Sequence, residues 1–126
     1  MKNVIFTPDA PSPENVPYSQ GVEANGFIFS GQGPHVPGKG RETVDGGIEA
    51  QTRRCIDNLQ AVLEERDATL EDVVKVTVYL TDIDNYEAMN EVYSEYFPED
   101  FPARATLEVS DIPFGGIAVD TIAVTE

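Results

Sequence analysis

Residues 47–80 read GIEAQTRRCIDNLQAVLEERDATLEDVVKVTVYL, and a change of hydrophobic period inside this stretch decides the fold. From Gly47 to Arg66, the residues Ile48, Thr52, Cys55, Ile56, Leu59, Val62 and Leu63 recur at helical spacing. Glu49, Arg53, Asp57, Gln60 and Glu64 fall between them. Steps of three and four residues place the first set on one stripe of an α-helix and the second on its wet side. Thr69 with Asp72 three residues on reads as a cap before one short turn. From Val73 to Leu80 β-branched residues dominate, which suits a pleated strand better than a helix.

Working outward, Asp82 or Asp84 caps a second helix whose stripe is Tyr86, Met89, Tyr93 and Phe97, and Pro98 stops it. Two strands follow, over Ala103–Val109 and Ile117–Thr125. Toward the N-terminus, Asn25-Gly26 joins Gly21–Ala24 to Phe27–Ser30 and predicts a tight hairpin. Gly31–Gly40 carries four glycines and two prolines and reads as a loop. Prolines at 8, 11, 13 and 17 make the first 20 residues an extended lead-in. The expected order is β-β-α-β-α-β-β, an α+β fold with a mixed sheet and both helices on one face. The other sheet face then needs a cover, and a second copy of the chain is the natural one.

Length bounds the chain to one domain over residues 1–126. No stretch approaches the roughly 18 apolar residues of a membrane helix, and the apolar run before Thr7-Pro8 is too short for a signal peptide. Cys55 alone makes neither an internal disulfide nor a thiolate metal site, and His35 alone makes no His-rich one. The expected compartment is therefore the cytosol, with no metal. Eight Lys and Arg stand against 23 Asp and Glu, a formal charge of −15, which disfavours nucleic acid as a partner. So acidic a surface serves solubility, or fits a high-salt cytosol in which carboxylate repulsion is screened over about 3 Å at 1 M salt.

The last two strands hold the residues most suggestive of chemistry. Alternation puts Arg104, Thr106 and Glu108 on one face and Ala103, Ala105, Leu107 and Val109 on the other. An arginine near a strand start ordinarily serves a surface ion pair. Asp120 shares its face with Ala118, Ile122 and Val124, while Ile117, Val119, Thr121 and Ala123 form the other. A strand apolar on both sides is normally covered on both, so Asp120 is expected to be paired or hydrogen-bonded, with Arg104 as its natural partner. Taken singly, Tyr18 is a packing residue, Ser30 part of a turn, Asn90 a surface amide, His35 a loop residue and Cys55 an inert core thiol.

Together, several segments resemble the RidA/YjgF family, some of whose members are called L-PSP endoribonucleases or translation inhibitors. They are Pro17-Tyr18-Ser19-Gln20-Gly21, Phe29-Ser30-Gly31-Gln32-Gly33-Pro34, the 51–63 helix with Asn58-Leu59, Asp72–Leu80, Met89–Phe97, and above all Phe101-Pro102-Ala103-Arg104-Ala105-Thr106-Leu107-Glu108-Val109. The resemblance implies a chorismate-mutase-like fold and a homotrimer with clefts between subunits. It also implies cofactor-independent deamination of 2-aminoacrylate and related enamine or imine acids (2-iminobutanoate, 2-iminopropanoate) to 2-keto acids and ammonia. By position, Arg104 would hold the substrate carboxylate. Tyr18, Ser30, Asn90 and Thr106 would line the cleft, and Asp120 would place the attacking water. The chain departs from the family pattern at Asp120, usually glutamate, at Thr121, where a hydrophobic residue is usual, at Thr106, usually cysteine, and in a short, glycine-rich Ile112–Gly116 connection.

Two other functions fit the same residues. One is a non-catalytic module that binds a small carboxylate in the clefts and regulates a partner. The other is RNA cleavage, against which the charge and the lack of a basic, aromatic-lined face speak.

Overall fold

The computed structural model describes residues 1–125. Among them, six strands run β1 (Asn3–Ile5), β2 (Gly21–Ala24), β3 (Phe27–Gln32), β4 (Val73–Leu80), β5 (Ala103–Glu108) and β6 (Ile117–Val124). Helices α1 (Ile48–Glu64) and α2 (Tyr86–Tyr96) separate β3 from β4 and β4 from β5. The strands form one sheet in the order β1-β2-β3-β6-β4-β5. Only β4 and β5 pair parallel, because α2 carries the chain back across the sheet between them.

Local chemistry accounts for most of these boundaries. Asn25 and Gly26 both adopt positive φ, 52° and 82°, which matches the right-handed twist of the strands they join. Thr69 and Asp72 form a reciprocal capping box on the turn 70–72. Asp82 caps a similar turn, 83–85, that leads into α2. Two features differ from the sequence reading. Gly31 and Gln32 extend β3 into the stretch read as loop, and the lead-in contributes β1, paired to β2. A three-residue edge strand with one buried side chain, Ile5, leaves no periodic signal to read.

Both helices pack on one face. Ile48, Cys55, Ile56, Leu59, Val62 and Leu63 of α1 and Met89 and Tyr93 of α2 meet Ile28, Val76, Val78, Leu80, Ile117, Val119 and Ala123 of the sheet. Burial of these side chains, at roughly 1.5–3 kcal/mol each before entropy is counted, is the main term holding the fold. Cys55 lies fully inside this core, and desolvation holds its thiol far above the usual range, so it is inert. No helix among the described residues is long and apolar enough to cross a membrane.

Much of the opposite sheet face has no cover among the described residues. In-register rows run Val22–Phe29–Ile122–Lys75–Ala103 and Tyr79 between Ala118 and Leu107, with Phe27 against Val124. Phe27, Phe29 and Leu107 remain 40–44% exposed. An apolar sheet face of this extent belongs against another surface.

Candidate functional site

Arg104 sits on β5, the sheet edge, opposite Val76 of β4, and Thr106 sits opposite Val78. Val76 and Val78 point into the helical core, so Arg104 and Thr106 share the helix side. The guanidinium reaches α2. Its Cζ lies 4.6 Å from the Tyr93 ring centroid and 5.7 Å from that of Tyr86. One terminal nitrogen donates to the Tyr86 hydroxyl at 3.3 Å, and the other approaches the Met89 sulfur at 3.9 Å. The neighbouring Asn90 amide and Arg104 hold the Tyr86 phenol below its ordinary range. Burial outweighs Arg104 at Tyr93 and pushes that phenol up.

Arg104 has no carboxylate partner among the described residues. The ion pairs among the described residues are Arg53–Glu95 at 2.8 Å and Arg66–Glu23 at 2.9 Å. In a chain with 23 acidic side chains, an arginine stacked on tyrosine and left without an anion keeps donors for one from outside. Two buried hydroxyls near it, Thr106 Oγ1 and the Tyr93 phenol, also lack partners. An orphaned buried hydroxyl is costly, which adds to the polar demand of this corner.

Asp120 lies elsewhere. On β6 it stands between Gly31 of β3 and Thr77 of β4, on the uncovered face, and is exposed. The expected Asp120–Arg104 pair is therefore not made. Asp120 registers with Thr77 and Arg104 with Val76, so the two point to opposite sides of the sheet with β4 between them. Sequence alternation gave each face correctly but not the strand order that relates them.

Asp120 borders a cavity of about 390 Å³ together with Tyr18, Gly31, Tyr79 and Phe114. Tyr18, 53% exposed, reaches it from the lead-in. Ser30 does not offer its side chain to this cavity. It is buried, and its hydroxyl donates to the Gln20 carbonyl at 2.7 Å and accepts from Gln32 at 3.0 Å. The proposed site residues thus divide into Arg104, Thr106 and Asn90 beside α2, and Tyr18 and Asp120 on the open face.

Several residues that build this cavity are read in the sequence only as parts of motifs, with no role of their own. The Gln20 amide accepts from the Thr7 backbone N–H at 2.7 Å and donates to the carbonyls of Thr7, Ala10 and Pro11 at 2.9–3.1 Å. It pins the proline-rich lead-in against the sheet. Asn58, fully buried on α1, donates to the carbonyls of Gly33 and His35 at 3.1 and 2.9 Å and fixes the loop after β3. Gln51 accepts from the Gly116 N–H at 2.7 Å. Gly115 has φ 77°, and a Cβ there would come within 2.6 Å of Pro34. The connection before β6 is glycine-rich because it closes on that loop. A buried amide that serves distant carbonyls looks, in sequence, like any surface Gln or Asn.

Residues 7–125 match the protein family described as Endoribonuclease L-PSP. The chain belongs to this family, also called RidA/YjgF. A RutC family protein of Pyrococcus abyssi is 55% identical over 113 residues, covering 89% of this chain and 87% of that one. A protein of the mite Dermatophagoides farinae named 2-iminobutanoate/2-iminopropanoate deaminase is 36% identical, covering 99% and 98%. A crystal structure described as a putative endoribonuclease from Thermotoga maritima superposes with a TM-score of 0.93 at 42% identity, over 100% of this chain and 99% of that one. The six-stranded sheet with two helices is thus the RidA/YjgF architecture. Family names range over RutC, deaminase and endoribonuclease, so activity has to be argued from the site.

Proposed function

We propose that this chain is a cofactor-independent deaminase that hydrolyses small enamine and imine acids, of the 2-aminoacrylate type, to 2-keto acids and ammonia. The carrying observation is Arg104, a guanidinium stacked on Tyr93, bonded to Tyr86 and without an anion. Its planar fork suits a substrate carboxylate. The deaminase name of the mite relative supports the same reading.

The cleft in this proposal lies between copies of the chain in a homotrimer. Two observations support that: an apolar sheet face open to solvent, and site residues divided between opposite faces. A neighbour's Arg104, Thr106 and Asn90 would meet the Tyr18 and Asp120 of this chain, with Ser30 holding the wall from behind. The enamine first tautomerises to the imine. Arg104 fixes its carboxylate, and water adds to the C=N carbon as Asp120 accepts the water proton. Passing that proton to nitrogen lets the carbinolamine collapse to the keto acid with loss of ammonia. The aspartate stem is one methylene shorter than glutamate, and Thr106 offers a hydroxyl where a thiol is usual. Neither change removes a proton carrier from this scheme. We place the reaction in the cytosol, without metal, membrane or nucleic-acid partner.

Coupled release of 2-aminoacrylate from serine by a dehydratase tests the proposal. Wild type should speed pyruvate and ammonia formation, and Arg104→Ala should lose nearly all of that gain. No acceleration at any salt concentration refutes it. One observation favours a second reading, a carboxylate-binding regulatory module: the Asp120 carboxylate is exposed and has no side-chain hydrogen bond among the described residues to orient it. That reading predicts saturable binding of a 2-keto acid with no faster ammonia release. RNA cleavage, the activity in the family's description, finds no support in a charge of −15.

A further inference from the structure

The cavity beside Asp120 has a second charged wall. Arg41, in the loop after β3, borders it together with the apolar Pro11, Pro13, Ile112 and Phe114. Its guanidinium Cζ lies 5.6 Å from the Phe114 ring centroid, and Phe114 in turn meets the His35 ring edge-on at 5.2 Å. His35 Nδ1 bonds the Arg41 carbonyl at 3.1 Å, so the same ring that supports Phe114 also holds the backbone beneath Arg41. Asn58 anchors the carbonyls of Gly33 and His35, and Gln51 anchors Gly116, on the two sides of this contact. The arginine therefore stands on a built platform rather than on a free loop.

Arg41 and Asp120 are the charged residues that line the cavity. Like Arg104, Arg41 makes no ion pair among the described residues, although 23 acidic side chains were available to it. Most cations of the chain are unpaired in this way among the described residues, so what sets Arg41 apart is its seat. It lies on an aromatic ring at the rim of a largely apolar hollow, where an entering anion is only partly screened. An acidic metabolite approaching a chain of charge −15 is repelled almost everywhere else.

We propose that Arg41 is a specificity residue which binds a second carboxylate, so that this site takes imine acids with an acidic side chain alongside the small neutral ones. The inference rests on the deaminase reading above. Arg104 of a neighbour holds the carboxylate next to the imine carbon, Asp120 serves the water, and Arg41 receives the distal carboxylate across the cavity. The Phe114 ring carries the methylene groups between them.

The test compares 2-iminopropanoate, generated from alanine, with 2-iminoglutarate, generated from glutamate, each by an amino-acid oxidase. Ammonia release is followed in wild type, Arg41→Ala and Arg41→Lys. Loss of one charge-assisted contact is worth roughly a tenfold change in kcat/KM. Arg41→Ala should lose about that much on the dicarboxylic imine, mainly as a higher KM, and stay within about twofold on the neutral one. Arg41→Lys should fall between, and added salt should narrow the gap between wild type and Arg41→Ala. Acceleration of the neutral imine alone, or an equal effect of Arg41→Ala on both, overturns the role of Arg41 and leaves the deaminase reading standing. Acceleration of neither imine overturns both.

Discussion

Gln20 offers the sharpest test of how the site is held. Its side-chain amide is 2% exposed and makes four hydrogen bonds to the backbone of the lead-in. In Gln20→Leu the volume is nearly kept and the amide is lost. The Thr7 carbonyl still accepts a bond from the Ala10 N–H at 3.5 Å. The Thr7 N–H and the carbonyls of Ala10 and Pro11 are left without their partner. Each buried orphan costs about 1–3 kcal/mol, so the variant should lose at least about 3 kcal/mol if the lead-in stays docked. Should the lead-in lift off instead, water satisfies those groups, but the cover over Ile5 and one wall of the cavity go with it. Urea unfolding separates the two outcomes. A docked variant keeps the slope m and shifts the midpoint, whereas an undocked one exposes surface in the native state and lowers m. Hydrogen exchange at the Thr7 amide, slow in wild type, should become fast in either case. A variant within 0.5 kcal/mol of wild type (on the order of experimental error), with Thr7 still protected, would refute the account of Gln20 as the clasp of the lead-in.

Three further outcomes follow from the same geometry. Asn58→Ala strands the carbonyls of Gly33 and His35 and should cost about 2–4 kcal/mol in urea unfolding, as well as loosening the loop that carries Arg41; a loss below 1 kcal/mol (about the net worth of one ordinary bond) would contradict it. In an absorbance titration, Tyr86 should ionise first and Tyr93 and Tyr96 late, because Asn90 and Arg104 favour the Tyr86 phenolate while burial disfavours the other two. A depressed folded-state pKa means that ionisation of Tyr86 adds stability once pH rises through that value, and the gain is lost as pH falls back through it; Arg104→Ala should shift the first step upward, and an unmoved step would place Arg104 away from Tyr86. Finally, a charge of −15 should make the thermal midpoint rise between dilute buffer and 1 M KCl, as repulsion is screened over about 3 Å; a flat or falling midpoint would remove the argument for a high-salt setting.

The sequence alone determined most of the elements, though not the short β1 or the end of β3. The helical stripe from Ile48 to Leu63, the branched run Val73–Leu80 and the Asn25-Gly26 turn are local signals, each written in the period or the φ preference of neighbouring residues. It also assigned each strand residue to a face and required a cover for the open side of the sheet. Tertiary structure alone decided what those faces meet. Placing β4 between β6 and β5 separates Asp120 from Arg104, and no periodicity encodes strand order. Gln20, Asn58, Tyr86 and Arg41 gained their roles only from partners distant along the chain, because a hydrogen bond or a stacked ring depends on where two side chains end up in space.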